Sequence, residues 1–372
     1  MEINTHGGIV ATNKILELLL EKGCRLAEPG EFLKRAFLGG RIDLVEAESV
    51  GELINAKTEE ARKISINGID GKISELIKNL RSEILSLIAN IEVNIDYPEY
   101  EDAVVVTNKL LKEKTQEISK KLEKILKNSE NNKIVMSGIN VGIIGKPNVG
   151  KSSLLNALIG ENKAIVTDIE GTTRDIVEGS IIINGIEVKL VDTAGLRETK
   201  DIVEKLGVEK SYEIIKTSDL IIYILDNNKK ISEEEIKILK KLDKKRTIIV
   251  INKIDLDTKI NKELLKDFNI VEMSLKEKKG IEELKNKLGD LFSFENIKEK
   301  DYTYLTNARQ IGLLRKSVKI LKDIETAVNN ETEVDLIEID IKLLWETLGE
   351  ITGESYREEL LDEIFSKFCL GK

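Results

Sequence analysis

The chain has 372 residues, 41% hydrophobic and 34% charged, with a net charge of −9; it is long enough for two or three domains and carries no bulk attraction to nucleic acid. Two cysteines, Cys24 and Cys369, exclude a disulfide framework, and the single histidine, His6, argues against a histidine-based zinc site or a Ser–His–Asp triad. No run reaches the roughly 18 apolar residues of a membrane span, and residues 1–4 lack the basic-then-apolar order of a signal peptide, so no membrane contact and a cytoplasmic location are expected.

Aromatic residues make up only 4%, so the cores must be built from Ile, Leu and Val. Residues 10–22 read as an amphipathic helix ended by Gly23. Pro29 is expected in the first turn of a second helix, through Phe37, which Gly39 and Gly40 stop. Asp43 starts a long helical pattern to about Ile66, and Asp70 caps the next helix. There Ile73, Leu76, Ile77, Leu80, Ile84, Leu87, Ile88 and Ile91 make one apolar stripe. Pro98 ends it, and a Lys-rich helix covers 107–127.

From Ile139 the period changes. Runs at 139–144, 177–183, 186–191, 220–225, 247–251 and 270–273 read as short strands alternating with helices, the pattern of an α/β domain with a mostly parallel sheet. Asn184-Gly185 between two of these runs predicts a tight hairpin, hence one antiparallel pair. Ser232 and Glu235 have capping-box spacing. After Phe294 the helical pattern returns, with a stripe at Ile311, Leu314, Val318 and Leu321 and helices over 340–348 and 356–368. Helices on both sides of one α/β domain suggest an insertion. The expected division is a helical domain in two halves (29–137 and 295–372), an inserted α/β domain (138–294), and a short leading segment (1–28).

The chemistry lies in the inserted domain. Gly145-Lys146-Pro147-Asn148-Val149-Gly150-Lys151-Ser152 fits the phosphate-binding loop G-x-x-x-x-G-K-[ST], with an apolar strand before it and a helix after it. In such a loop successive N–H groups and the helix N-terminus face a polyphosphate; Lys151 would reach the β- and γ-phosphates, and the Ser152 hydroxyl would bind Mg²⁺. Further segments follow in order. Asp192-Thr193-Ala194-Gly195 ends a strand: Asp192 would hold Mg²⁺ through water, and the Gly195 N–H could reach the γ-phosphate. A threonine of Gly171-Thr172-Thr173-Arg174 could complete the Mg²⁺ shell only with a γ-phosphate present, as a switch requires. Asn252-Lys253-Ile254-Asp255 follows a strand, and the Asp255 carboxylate can accept from guanine N1–H and the exocyclic amine, a donor pair that adenine lacks. Ser274-Leu275-Lys276 could read guanine O6 by a backbone N–H. Each motif alone is weak; together, at strand ends of one α/β unit, they point to GTP. One feature is awkward for hydrolysis. Where many such enzymes carry a water-orienting glutamine, this chain has Leu196, whose alkyl chain cannot orient water. Arg197, Glu198, Asp201 and Glu204 are the polar candidates nearby.

The set resembles the Ras-like GTPases of the translation-factor class, and more specifically the MnmE (TrmE) family of tRNA modification GTPases. The second resemblance is carried by Pro29-Gly30-Glu31-Phe32, Arg35-Ala36-Phe37-Leu38, Asp43-Leu44-Val45-Glu46-Ala47-Glu48, the GTPase motifs with Asp192-Thr193-Ala194-Gly195-Leu196-Arg197-Glu198, and the ending Cys369-Leu370-Gly371-Lys372. It implies a P-loop GTPase domain of mostly parallel sheet with one antiparallel edge pair, inserted into an all-α helical domain. Residues 1–28 would then be a remnant of an N-terminal α+β folate-binding and dimerisation domain, most of which is absent. It also implies potassium-stimulated GTP hydrolysis in modification of the wobble uridine of tRNA to a 5-carboxymethylaminomethyl type, with a flavin-dependent MnmG-type partner and a folate one-carbon donor. GTPase domains would pair with their own kind across the nucleotide face. The nucleotide set would comprise Asn148, Val149, Gly150, Lys151, Ser152, Ser153, Thr167, Asp168, Ile169, Glu170, Gly171, Thr172, Thr173, Asp192, Thr193, Ala194, Gly195, Asn252, Lys253, Asp255, Ser274, Leu275 and Lys276. Potassium would fall to Asn148, Thr167, Ile169 and Thr172, Mg²⁺ to Ser152 and Thr173, and the catalytic role to Glu204. Folate contacts match only at Glu2, Arg41 and Lys372, and Cys369 reads equally as a functional thiol or a small buried hydrophobe. The alternative reading is a GTP-gated binding module in ribosome or RNA assembly, which would need a basic appendage that the sequence does not display.

Overall fold

The computed structural model describes residues 3–96, 108–161, 179–192, 212–291, 303–354, 358–366 and 368. The chain divides into two compact units: one of Met1–Asn55, Ser65–Leu122 and Gly312–Lys372, the other of Ala56–Ile64 and Glu123–Ile311.

The first unit is helical. Its elements are α1 (Ile9–Glu21), α2 (Glu31–Leu38), α3 (Leu44–Asn55), the C-terminal part of α4 (Glu59–Ile69), α5 (Lys72–Asp96), the first half of α6 (Asn108–Ser137), most of α10 (Ala308–Asn329), α11 (Val334–Thr352) and α12 (Glu358–Ser366). The expected stripe of α5 is buried except at Leu76, which is half-buried, and Ile77, Ile84 and Ile91 are fully enclosed. Asp43 caps α3 as expected, in a capping box: its Oδ1 accepts from the Glu46 N–H at 3.1 Å, and its own N–H donates to Glu46 at 2.7 Å. Phe37, Leu44, Leu361 and Phe365 form a small core. Gly30 is needed beside it, because its φ is +68° and a Cβ there would lie 2.5 Å from the Phe365 carbonyl oxygen.

Several expected boundaries move. The pattern beginning at Asp43 is two helices, because Thr58 Oγ1 accepts from the Ala61 N–H at 3.1 Å and starts α4 afresh, while the Asn55 amide turns back to the Gly51 carbonyl at 2.9 Å. Pro29 precedes the N-cap Gly30 rather than entering α2. α5 starts at Lys72, one residue later than a cap at Asp70 would place it, with the Gly71 carbonyl accepting from the Glu75 N–H. The Lys-rich helix runs on to Ser137, and α11 is longer than the expected 340–348.

The second unit is a six-stranded sheet in the order β2-β3-β1-β4-β5-β6. The strands are β1 (Ile139–Gly145), β2 (Gly179–Ile183), β3 (Ile186–Asp192), β4 (Leu220–Asp226), β5 (Thr247–Asn252) and β6 (Asn269–Met273). Among these described strands only β2 and β3 pair antiparallel, through the Asn184-Gly185 turn, where φ is +52° and +84°. The other strand pairs are parallel. β4 is buried along its whole length, as a strand covered on both faces must be. Ile222 and Ile224 join Val141, Leu154, Val250 and Leu284 on one face; Ile221, Tyr223 and Leu225 join Leu239, Ile249 and Ile251 on the other. The covering helices include α7 (Lys151–Glu161), α8 (Glu233–Leu239) and α9 (Ile281–Leu291). Among the described residues no helix is long and apolar enough to cross a membrane.

Candidate functional site

β1 lies centrally, with β3 on one side and β4 on the other, so the chain order reverses at its carboxyl end. Open α/β sheets bind ligands at such a point. The loop from Gly145 to Gly150 leaves β1 there and enters α7. Gly145 has φ +153°, and a Cβ on it would fall 2.6 Å from the Ile224 carbonyl oxygen. Gly150 has φ +110°, and a Cβ on it would fall 2.4 Å from the Asn252 amide nitrogen. Side chains are thus excluded from both ends of the loop for steric reasons. Asn148, between them, takes the left-handed conformation at φ +62°, which asparagine tolerates better than most residues. α7 opens with the Leu154 N–H on the Gly150 carbonyl at 2.8 Å. The N–H groups of the turn before it have no intrahelical acceptor, as at any helix start, and favour an anion. The Lys151 ammonium lies within its own loop, donating to the carbonyls of Gly145 at 2.8 Å and Lys146 at 2.9 Å.

The ends of β5 and β6 meet this loop. Asn252 is 3% exposed; its amide donates to the Val149 carbonyl at 2.8 Å, and its Oδ1 accepts from the Leu275 N–H at 3.3 Å. One side chain therefore ties the phosphate loop, the end of β5 and the loop after β6 together. Lys253 has φ +68° and reaches the Asn148 carbonyl at 3.0 Å and Asp226 Oδ2 at 2.7 Å. Asp255 is exposed, and its Oδ1 accepts from the buried Ser274 hydroxyl at 2.7 Å. That hydrogen bond holds the Asp255 carboxyl below the usual carboxylate range. Ser274 is fixed in turn by backbone bonds in both directions with Lys279, across a turn closed by Gly280 at φ +88°.

On the other flank, Lys146 donates to the Ser232 hydroxyl at 2.7 Å and lies 3.6 Å from Glu235 Oε2. Ser232 and Glu235 form the expected capping box of α8.

The structure thus brings Asn148, Val149, Gly150, Lys151, Ser152 and Ser153 beside Asn252, Lys253, Asp255, Ser274, Leu275 and Lys276, at the carboxyl edge of one sheet. Asp192 ends β3 and pairs in register with Ile143 of β1. Glu2, Thr167, Asp168, Ile169, Glu170, Gly171, Thr172, Thr173, Thr193, Ala194, Gly195, Leu196, Glu204, Cys369 and Lys372 lie outside the described residues. Arg41 is an exposed turn residue of the helical unit whose N–H donates to the Ala36 carbonyl at 2.9 Å. Sequence reasoning passes over Asp226 and Lys146. The signal for Asp226 is a carboxylate closing the otherwise uncharged run Leu220-Ile221-Ile222-Tyr223-Ile224-Leu225.

A family model described as the MnmE helical domain matches residues 44–369, and one described as the GTP-binding protein TrmE N-terminus matches residues 1–41. The tRNA modification GTPase MnmE of Bacillus cytotoxicus is 48% identical over 376 residues, an alignment that takes in 100% of this chain and 82% of that protein. The corresponding protein of Bacillus subtilis (strain 168) is 46% identical over the same shares. Among solved structures, the G domain of the T. maritima FeoB iron transporter aligns with 41% of this chain and 98% of its own, at 29% identity and a TM-score of 0.31.

Proposed function

The chain belongs to the MnmE family of tRNA modification GTPases, and on that premise we propose that its GTP hydrolysis is stimulated by potassium and serves modification of the wobble uridine of tRNA together with a flavin-dependent MnmG-type partner. The observation that carries this reading is the convergence of Asn148, Lys151 and Ser152 with Lys253, Asp255 and Ser274 at one sheet edge. Lys151 would leave its own loop carbonyls for the β- and γ-phosphates, exchanging neutral acceptors for charged ones. Asp255, kept ionised by Ser274, would take the guanine N1–H and exocyclic amine, and the loop of Leu275 and Lys276 would meet guanine O6.

Ser152 and Asn148 are exposed and offer oxygen donors, the chemistry that Mg²⁺ and potassium take. Ser152 and Thr173 would hold Mg²⁺, with Asp192 reaching it through water; Asn148, Thr167, Ile169 and Thr172 would hold potassium. Both cations supply positive charge beside the phosphates, where an arginine finger acts in other GTPases. Glu204 would orient the attacking water, a task that Leu196 cannot perform. Self-association of the GTPase domains across the nucleotide face, a folate one-carbon donor near Glu2, Arg41 and Lys372, a role for Cys369, a cytoplasmic location and a domain division at 29–137, 138–294 and 295–372 belong to the same reading.

Expression of the chain in a bacterial strain lacking its own enzyme of this family tests it. Mass spectrometry of tRNA nucleosides is expected to show the 5-aminomethyl-type uridine restored. A chain that hydrolyses GTP but restores no modified uridine would overturn the tRNA assignment.

A further inference from the structure

The Lys253 ammonium joins the phosphate loop to the end of β4: it donates to the Asn148 carbonyl at 3.0 Å and to Asp226 Oδ2 at 2.7 Å. We propose that Asp226 is a positioning residue for the phosphate loop. By holding Lys253 against the Asn148 carbonyl it fixes the left-handed turn that presents the Asn148 side chain, and so sets how tightly potassium is bound. This rests on the reading of Asn148 as a potassium ligand.

Asp226 is held in place by contacts other than Lys253. It ends β4, whose residues are all buried, and it pairs in register with Asn252, the residue before Lys253. It is 6% exposed. Its Oδ1 accepts from the Asn228 N–H at 3.0 Å, and the neighbouring Asn227 N–H donates to the Asn252 carbonyl at 2.9 Å. A carboxylate so enclosed needs a counter-charge, and Lys253 supplies it. Burial pushes this carboxyl up, but the bonds from Lys253 and the Asn228 N–H outweigh that and hold it below the usual range.

The other end of the contact needs support. Asn148 has φ +62° and Lys253 φ +68°, conformations in which a non-glycine residue is stable only when its surroundings hold it. The Lys253 bond is one such hold on Asn148, and Asp226 aims it. The Asn148 side chain itself is exposed, so its direction follows from the backbone beneath it. A weakly held monovalent ion gains most from donors already in place.

Asp226→Asn keeps the acceptor for the Asn228 N–H and removes the charge facing Lys253. GTP hydrolysis by the full chain is measured against potassium concentration, with the KM for GTP and the melting curve recorded in parallel. The half-saturating potassium concentration is expected to rise about tenfold, the worth of one charge-assisted hydrogen bond, while the KM for GTP changes less than about threefold. Asp226→Glu keeps the charge one methylene further out and is expected to fall between, at about threefold. It also carries the test where the Asn variant melts below the assay temperature. A wild-type chain with equal rates in potassium and sodium overturns the potassium reading and this inference with it. A wild-type chain that potassium stimulates, with variants whose half-saturating concentration is unchanged, overturns this inference alone.

Discussion

Two cations, one in each unit, are held in contrasting ways. Arg81 in the helical unit has a side chain only 7% exposed and is enclosed on every side. Its Nε donates to the Trp345 carbonyl at 3.1 Å, its guanidinium stacks 4.1 Å over the Trp345 ring, and it pairs with Glu354. Gly349 leaves it room, since a Cβ there would lie 2.9 Å from the guanidinium. Lys253 in the α/β unit is 32% exposed and has a carboxylate on one side and a loop carbonyl on the other. The enclosed cation fastens α5 to α11 and has nothing left to offer a ligand. The half-open one fastens a loop while keeping access to the surface that the nucleotide would occupy. Burial with complete satisfaction marks structure; partial exposure with convergent polar groups marks a site.

Substitutions can break this contrast. Lys151→Ala is expected to weaken GTP binding the most, by about 3 kcal/mol or roughly a hundredfold, because charge-assisted bonds to the phosphates disappear. Titration with a fluorescent GTP analogue checks this, and the melting temperature should barely move. Arg81→Ala should do the opposite: lose about 2–3 kcal/mol of stability, since an enclosed ion pair and a cation–π contact go together while Glu354 remains half-solvated, with GTP affinity unchanged. Denaturant unfolding measures it; a loss of nucleotide binding without a loss of stability would erase the distinction between the two cations. Ser274→Ala should cost about 1 kcal/mol of GTP affinity through the freed Asp255 carboxylate, read in the same titration.

The smallest effect concerns pH. The Glu31 carboxyl is pulled down to about 2, first by the Arg25 guanidinium bonded to it and then by the Glu28 N–H. A depressed carboxyl stabilises the fold fully above its unfolded value near 4.5 and loses that contribution as pH falls from there toward 2. The melting temperature of Glu31→Gln should therefore lie slightly below wild type at neutral pH and converge with it at the acid end of that window.

Much of the fold was legible because its signals are local. Continuous apolar runs gave β4 and β5, Asn184-Gly185 gave the hairpin, and Ser232 with Glu235 gave the start of α8. The break at Thr58 was missed because the apolar spacing runs on through it, and only a side-chain cap marks the new helix. The geometry of the phosphate loop was legible because its close backbone approaches at Gly145 and Gly150 admit few residue types, and the place of Asp255 because it follows the end of an apolar strand run. Asp226 was not, because its role depends on strand register, which places it beside Asn252 from a distant part of the sequence.

The most direct measurement is the GTP hydrolysis rate of the whole chain in potassium against sodium at equal ionic strength, alongside Glu204→Ala. Hydrolysis several-fold faster in potassium, and lost by about a hundredfold or more in the variant, is the predicted result. Equal rates in the two salts, or a Glu204→Ala enzyme as fast as wild type, would contradict the account of how this chain hydrolyses GTP.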